Sequence, residues 1–142
     1  MTQGRQLMAL AIQARERAYT PYSGFKVGAA LLAKDGRTFL GCNIENAAYG
    51  PSNCAERTAI FKAVSEGVLD FTALAVVADT VQPVTPCGVC RQVMAEFFAP
   101  ETPVYLGNLR GEIRKTTLGE LLPGAFTRRD MNVKGENDGD RI

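Results

Sequence analysis

Apolar residues recur on a helical period near the start of the chain. Leu7, Met8, Ala11, Ile12 and Ala14 share one face, with arginine and glutamine opposite, which predicts a helix over Arg5–Tyr19. TPYSGF breaks the pattern, because Pro21 and Gly24 are turn residues. Lys26–Ala33 is a short apolar run, Asp35-Gly36 reverses it, and Thr38–Asn43 follows as its hairpin partner. A polar loop, IENAAYGPSN, leads to a second helix over Cys54–Ser65, ended by Gly67. Phe71–Asp79 reads as a buried strand, followed by a loop with two prolines, TVQPVTP. A third helix runs from Cys87 to Phe98, with Val89, Val93, Met94 and Phe97 on one side. TPVYLG is a fourth strand, EIRKTTL a weaker fifth, and LGELLPGAF a short helix and turn.

Strands that alternate with helices predict an α/β domain, a three-layer α/β/α stack around a five-stranded mixed sheet. The tight turn makes the first two strands antiparallel, and helical crossovers make the middle strands parallel. The link from strand four to strand five is too short for a crossover, so the last strand is expected antiparallel to its neighbour. Residues 1–126 read as one domain. Residues 127–142 read as a polar, loosely ordered tail, since they carry no apolar period.

Charge narrows the partners. Sixteen Lys and Arg against fifteen Asp and Glu leave a net charge of +1. That gives no electrostatic case for nucleic acid or an anionic membrane. The apolar stretch Leu7–Ile12 is too short for a signal peptide core, and nothing approaches the roughly 20 apolar residues of a membrane span. The expected location is cytoplasmic, where thiols stay reduced and cysteine spacing points to metal or catalysis.

Four cysteines and no histidine make that chemistry specific. Cys54 opens one predicted helix, with Glu56 two residues on; Cys87 and Cys90, behind Pro86, open another. Helix N-termini carry free N–H groups and partial positive charge, which favour a thiolate. Three thiolates and a water make an open, catalytic zinc site, whereas four protein ligands make a closed, structural one. Cys42 could supply a fourth ligand, but it lacks the close pairing of structural zinc knots and fits a small buried residue. A carboxylate beside a metal-activated water can take and pass on its proton, which gives Glu56 a role beyond favouring a helix start. A redox reading of CGVC requires a thioredoxin-like strand directly before it, where this chain has a proline-rich loop.

CAE and PCGVC together match the signature of zinc nucleobase deaminases, with cysteine in place of histidine. With YSGFKVGAALL, GCNIENAAYG, CAERTA, PCGVCRQ and ELLPGAF in order, the chain closely resembles the three-cysteine cytidine deaminases that act on free nucleosides, from about Leu7 to Phe126. The resemblance implies one Zn²⁺ per subunit on Cys54, Cys87 and Cys90. It implies Glu56 as the proton shuttle for water attack at C4, and Arg57 as a donor to the ligand sulfurs. It implies Phe25, Asn43, Glu45, Ala55 and Phe126 as substrate-binding positions. Phe25 would lie on the pyrimidine, Asn43 and Glu45 would bond a ribose hydroxyl, and Phe126 would reach a neighbouring subunit's site in a homotetramer. The implied reaction is hydrolysis of cytidine and 2′-deoxycytidine to uridine and 2′-deoxyuridine plus ammonia, in pyrimidine salvage. Read without the resemblance, Phe25 and Phe126 fit packing, Asn43 and Glu45 fit loop shaping, Arg57 fits a solvated helix face, and Tyr49 fits the lining of the site or an interface equally. A deaminase of a nucleoside antibiotic of the blasticidin type and a non-catalytic zinc module stay open as alternatives.

Overall fold

A computed structural model of the chain describes residues 2–131. Nine elements follow one another: α1 (Thr2–Arg15), β1 (Val27–Ala33), β2 (Thr38–Cys42), α2 (Ala55–Ser65), β3 (Phe71–Ala78), α3 (Gly88–Phe97), β4 (Pro103–Asn108), β5 (Ile113–Thr117) and α4 (Leu118–Leu121). The five strands form one sheet in the order β2-β1-β3-β4-β5. β3 and β4 pair in parallel, and β5 lies antiparallel to β4, as the loop lengths predict. β2 and β3 run the same way, yet they are not neighbours. β1 lies between them and is antiparallel to both.

Alternating side chains divide the sheet between two cores. Leu31, Leu74, Val76, Val104 and Leu106 pack beneath α2, α3 and α4. Ala30, Ala73, Ala75, Val77 and Tyr105 face the opposite way, onto Leu7, Met8 and Ala11 of α1. These faces make the three layers.

Helix α1 ends four residues earlier than its pattern predicts. The chain tightens there, with Arg17 N–H donating to Ala14 O and Ala18 N–H to Arg15 O. Tyr19 then leaves the helix to pair with Ile44, donating to Asn43 O and accepting from Glu45 N–H. Two faces also differ from expectation. Ile12 lies partly exposed, and Val89 is 57% exposed while Cys90 is fully buried. Adjacent helical residues lie about 100° apart, so turning Cys90 inward turns Val89 outward. Residues 127–131 form a hydrogen-bonded turn in which Thr127 N–H donates to the Asp130 carboxylate. The remainder of the expected tail, 132–142, lies outside the described residues.

Cys42, Gly28 and Val77 stand in register at one edge of the sheet. The loop before β1, the loop from β2 to α2 and the loop from β3 to α3 all meet at that edge. Gly41 sets the approach of α2. A Cβ on it would lie 2.3 Å from Ala55 O and 2.6 Å from Ala59 N. Only a residue without a side chain lets the first turn of α2 lie directly on β2, and that turn carries Glu56.

Candidate functional site

Cys54 and Cys87 occupy the N-cap positions of α2 and α3, and neither side chain caps its helix. Both sulfurs are therefore left to do other work. Cys90 lies one turn into α3 and is fully buried. Cys54 Sγ and Cys87 Sγ stand 3.8 Å apart, and all three sulfurs lie within 4.8 Å of one another. The cysteines are free thiols, not a disulfide. On a tetrahedral zinc, with bonds of about 2.3 Å, sulfurs stand about 3.8 Å apart, so the cluster fits that ion. Cys42 is not part of it; among the described residues these three form the one candidate metal cluster. Cys42 is half-buried in a separate depression of about 150 Å³ beside Arg17 and Lys62.

The electrostatics of the cluster also call for a cation. A hydrogen bond from Cys90 is the main cause that lowers the Cys54 thiol to about 5, with Arg57 helping and burial opposing. The same contact with Cys54, and burial, hold the Cys90 thiol above its ordinary value. Adjacent thiolates repel, and a metal ion is the charge that lets them all ionise. Arg57 Nη2 donates to Cys54 Sγ at 3.2 Å. That is the geometry expected of a residue that draws electron density off a ligand sulfur. Its Nε is buried without a hydrogen-bond partner among the described residues.

Glu56 is 4% exposed. Burial is the main cause that pushes its carboxyl up to about 7, with the Cys54 charge adding to the rise and Arg57 opposing it. A carboxyl near 7 both takes and gives protons readily at neutral pH.

A cleft of about 380 Å³ opens over the cluster. Cys54, Ala55, Glu56, Arg57 and Cys87 line its floor, and Phe25, Asn43 and Glu45 line its side. Eight of the residues singled out in the sequence thus share one cavity, with Cys90 buried in the sulfur cluster. Asn43 and Glu45 also shape the loop that carries Phe25. Asn43 Nδ2 donates to Phe25 O at 2.7 Å, and its Oδ1 accepts from Val27 N–H at 2.9 Å. Glu45 accepts from the N–H groups of Tyr22 and Ser23 at 3.0 and 3.1 Å and from the Ser23 hydroxyl. That hydroxyl bond is the first cause that holds the Glu45 carboxyl below its ordinary value.

Phe126 does not reach this cleft. It is 59% exposed, and its carbonyl accepts from Gln92 Nε2. Tyr49 stands beside the cleft, edge-on to Tyr22, with a left-handed φ of 62°. Val84 and Thr85, which line the cleft, and Arg91 were not among the candidate residues of the sequence. Arg91 ties Pro86 O to Leu121 O with two bonds of 2.8 Å and so braces the chain entering Cys87. Thr85 and Arg91 were marked only by their places beside PCGVC.

Comparison with known proteins agrees with this geometry. The family described as "Cytidine and deoxycytidylate deaminase zinc-binding region" matches residues 1–106. A cytidine deaminase of Halalkalibacterium halodurans is 66% identical over 128 residues, covering 90% of this chain and 97% of the relative. A blasticidin-S deaminase of Bacillus cereus is 34% identical over 110 residues, covering 72% of this chain and 77% of the relative. Among solved structures, the cytidine deaminase of Burkholderia pseudomallei superposes with a TM-score of 0.84 at 54% identity, covering 86% of this chain and 98% of that one. This chain belongs to the cytidine and deoxycytidylate deaminase family.

Proposed function

We propose that this protein is a zinc-dependent cytidine deaminase, which hydrolyses cytidine to uridine and ammonia. One observation carries the reading: three cysteine sulfurs within 4.8 Å of one another, at a cleft that also holds a buried carboxyl raised to about 7. Cys54, Cys87 and Cys90 would hold the zinc. When bound, zinc supplies Lewis acidity, which makes water acidic enough to lose a proton near neutral pH. Glu56 accepts that proton and delivers it to N3 of the pyrimidine as oxygen adds at C4. Glu56 then takes the second proton from the hydroxyl added at C4 and passes it to the amine, so the C4–N bond breaks to leave the uridine C4 carbonyl and ammonia. Arg57 holds the Cys54 sulfur through the Nη2 bond. Phe25 lies against the base, Asn43 and Glu45 receive the ribose, and Ala55 closes the floor.

The same site takes 2′-deoxycytidine, and the products feed pyrimidine salvage in the cytoplasm. The assembly is a homotetramer in which Phe126 enters a neighbouring subunit's site. Tyr19, Tyr22, Phe25, Ile44 and Tyr49 are exposed on the loops around the cleft, which supports its being covered by another copy. Among the described residues no helix is long and apolar enough to cross a membrane.

The test is ammonia release from purified protein given cytidine, 2′-deoxycytidine or blasticidin S, before and after a chelator soak. Chelator-sensitive release from the two nucleosides is expected. Release from blasticidin S alone would move the assignment to that substrate. No release from metal-loaded protein would leave a structural zinc.

A further inference from the structure

The loop that carries Phe25 is fastened to the cleft by a short relay of hydrogen bonds. The Ser23 hydroxyl donates to one Glu45 oxygen, while Tyr22 and Ser23 N–H donate to the other. The same Ser23 hydroxyl accepts from Phe25 N–H at 3.0 Å. On its far side, Phe25 O accepts from Asn43 Nδ2. Both backbone groups of Phe25 are therefore held through Asn43 and Glu45, by way of one serine. Gly24, at φ +69°, allows the turn that brings the Ser23 hydroxyl back beneath Phe25 N–H. Phe25 is 44% exposed and belongs to neither hydrophobic core, so these bonds carry more of its placement than core packing does.

We propose that Ser23 is a positioning residue for the base-binding ring, coupling the Glu45 carboxylate to Phe25 so that one side chain network sets both the sugar end and the base end of the cleft. This deepens the cytidine reading and rests on it for the roles of Phe25 and Glu45. Glu45 is a partly exposed carboxylate on a loop, and such a side chain has many rotamers when free. With Ser23 in place its oxygens and the Phe25 ring are presented together, before substrate arrives. Preorganisation of this kind lowers the ordering cost of binding. It acts on ground state and transition state alike, so it changes KM and leaves kcat nearly alone.

The experiment compares wild type, Ser23→Ala and Ser23→Thr, each loaded with zinc. Three readouts are taken: steady-state cytidine kinetics, zinc content, and amide hydrogen exchange over residues 20–26 without substrate. Ser23→Ala is expected to raise KM about 10-fold, in line with loss of a hydrogen bond to a charged partner, with kcat within about twofold. Zinc content should be unchanged, and exchange over residues 20–26 should quicken. Ser23→Thr keeps a hydroxyl and should recover most of the KM and the protection. An unchanged KM overturns the proposal, whatever the exchange shows. So does a fall in kcat with loss of zinc, which would make Ser23 a folding residue, or failure of Ser23→Thr to recover either readout. If wild type does not turn over cytidine, the cytidine reading fails instead. The exchange arm needs no substrate, and unchanged protection in Ser23→Ala would then overturn the clamp by itself.

Discussion

The two ends of the cleft are built by different means. At the metal end, Cys54 and Cys87 sit on helix N-caps and Cys90 and Glu56 are buried beneath them. Their positions follow from the sheet, since Gly41 lets α2 lie on β2 and Arg91 braces the entry to α3. At the end proposed to take the nucleoside, Phe25, Asn43 and Glu45 stand on loops and are held by side-chain bonds to backbone. Helix starts and a close-packed strand define atoms rigidly, as a reacting centre requires. Loop hydrogen bonds give a surface that can admit a ligand and release it. Substitutions at the metal end should therefore abolish or slow the reaction, and those at the proposed nucleoside end should shift binding.

The largest expected effect comes from removing a ligand. Cys90→Ala deletes a buried sulfur of the cluster, so metal analysis should find zinc depleted and ammonia release should fall to background. Retention of one zinc per chain with full turnover would place the metal elsewhere. Arg57→Ala sharpens the comparison, because it leaves the three sulfurs but removes the donor to Cys54. Zinc should remain and kcat should fall by about 10–100-fold, the range for partners of metal ligands. Unchanged kcat with full zinc would deny Arg57 that role. The smallest effect belongs to Cys42→Ala. Cys42 lies in a separate depression, so zinc content should not change and turnover should stay within about twofold. Zinc loss in that variant would revive a closed four-cysteine site.

The metal end was legible in the sequence because its chemistry is local. Cys54, Glu56, Cys87 and Cys90 lie in two short motifs, each at the start of a periodic helix. The strand directions and the antiparallel last strand were legible from loop lengths. The position of β1 between β2 and β3 was not, since a hydrophobic period states which face is buried but not which strand is adjacent. The outward turn of Val89 depends on which neighbour the cluster needs inside, and that is a tertiary fact. The bonds that Ser23 and Arg91 make were not legible, for the same reason. Ser23 meets Glu45 across 22 positions, and Arg91 meets Leu121 across 30. Asn43 and Glu45 were marked as sugar contacts or as loop-shaping residues, while the fact that the loop they hold is that of Phe25 emerged only when the two loops were seen together.

In the proposed mechanism Glu56 is the group that moves protons beside an open three-sulfur zinc site. Glu56→Gln tests this most directly, because the amide keeps the shape of the side chain and cannot shuttle a proton. Zinc content and ammonia release from cytidine should be measured on the same preparation. One zinc per chain is expected, with a fall in kcat of about 10²–10⁴-fold, the usual worth of a positioned acid–base group. A variant that keeps its zinc and deaminates cytidine at the wild-type rate would contradict that role for Glu56.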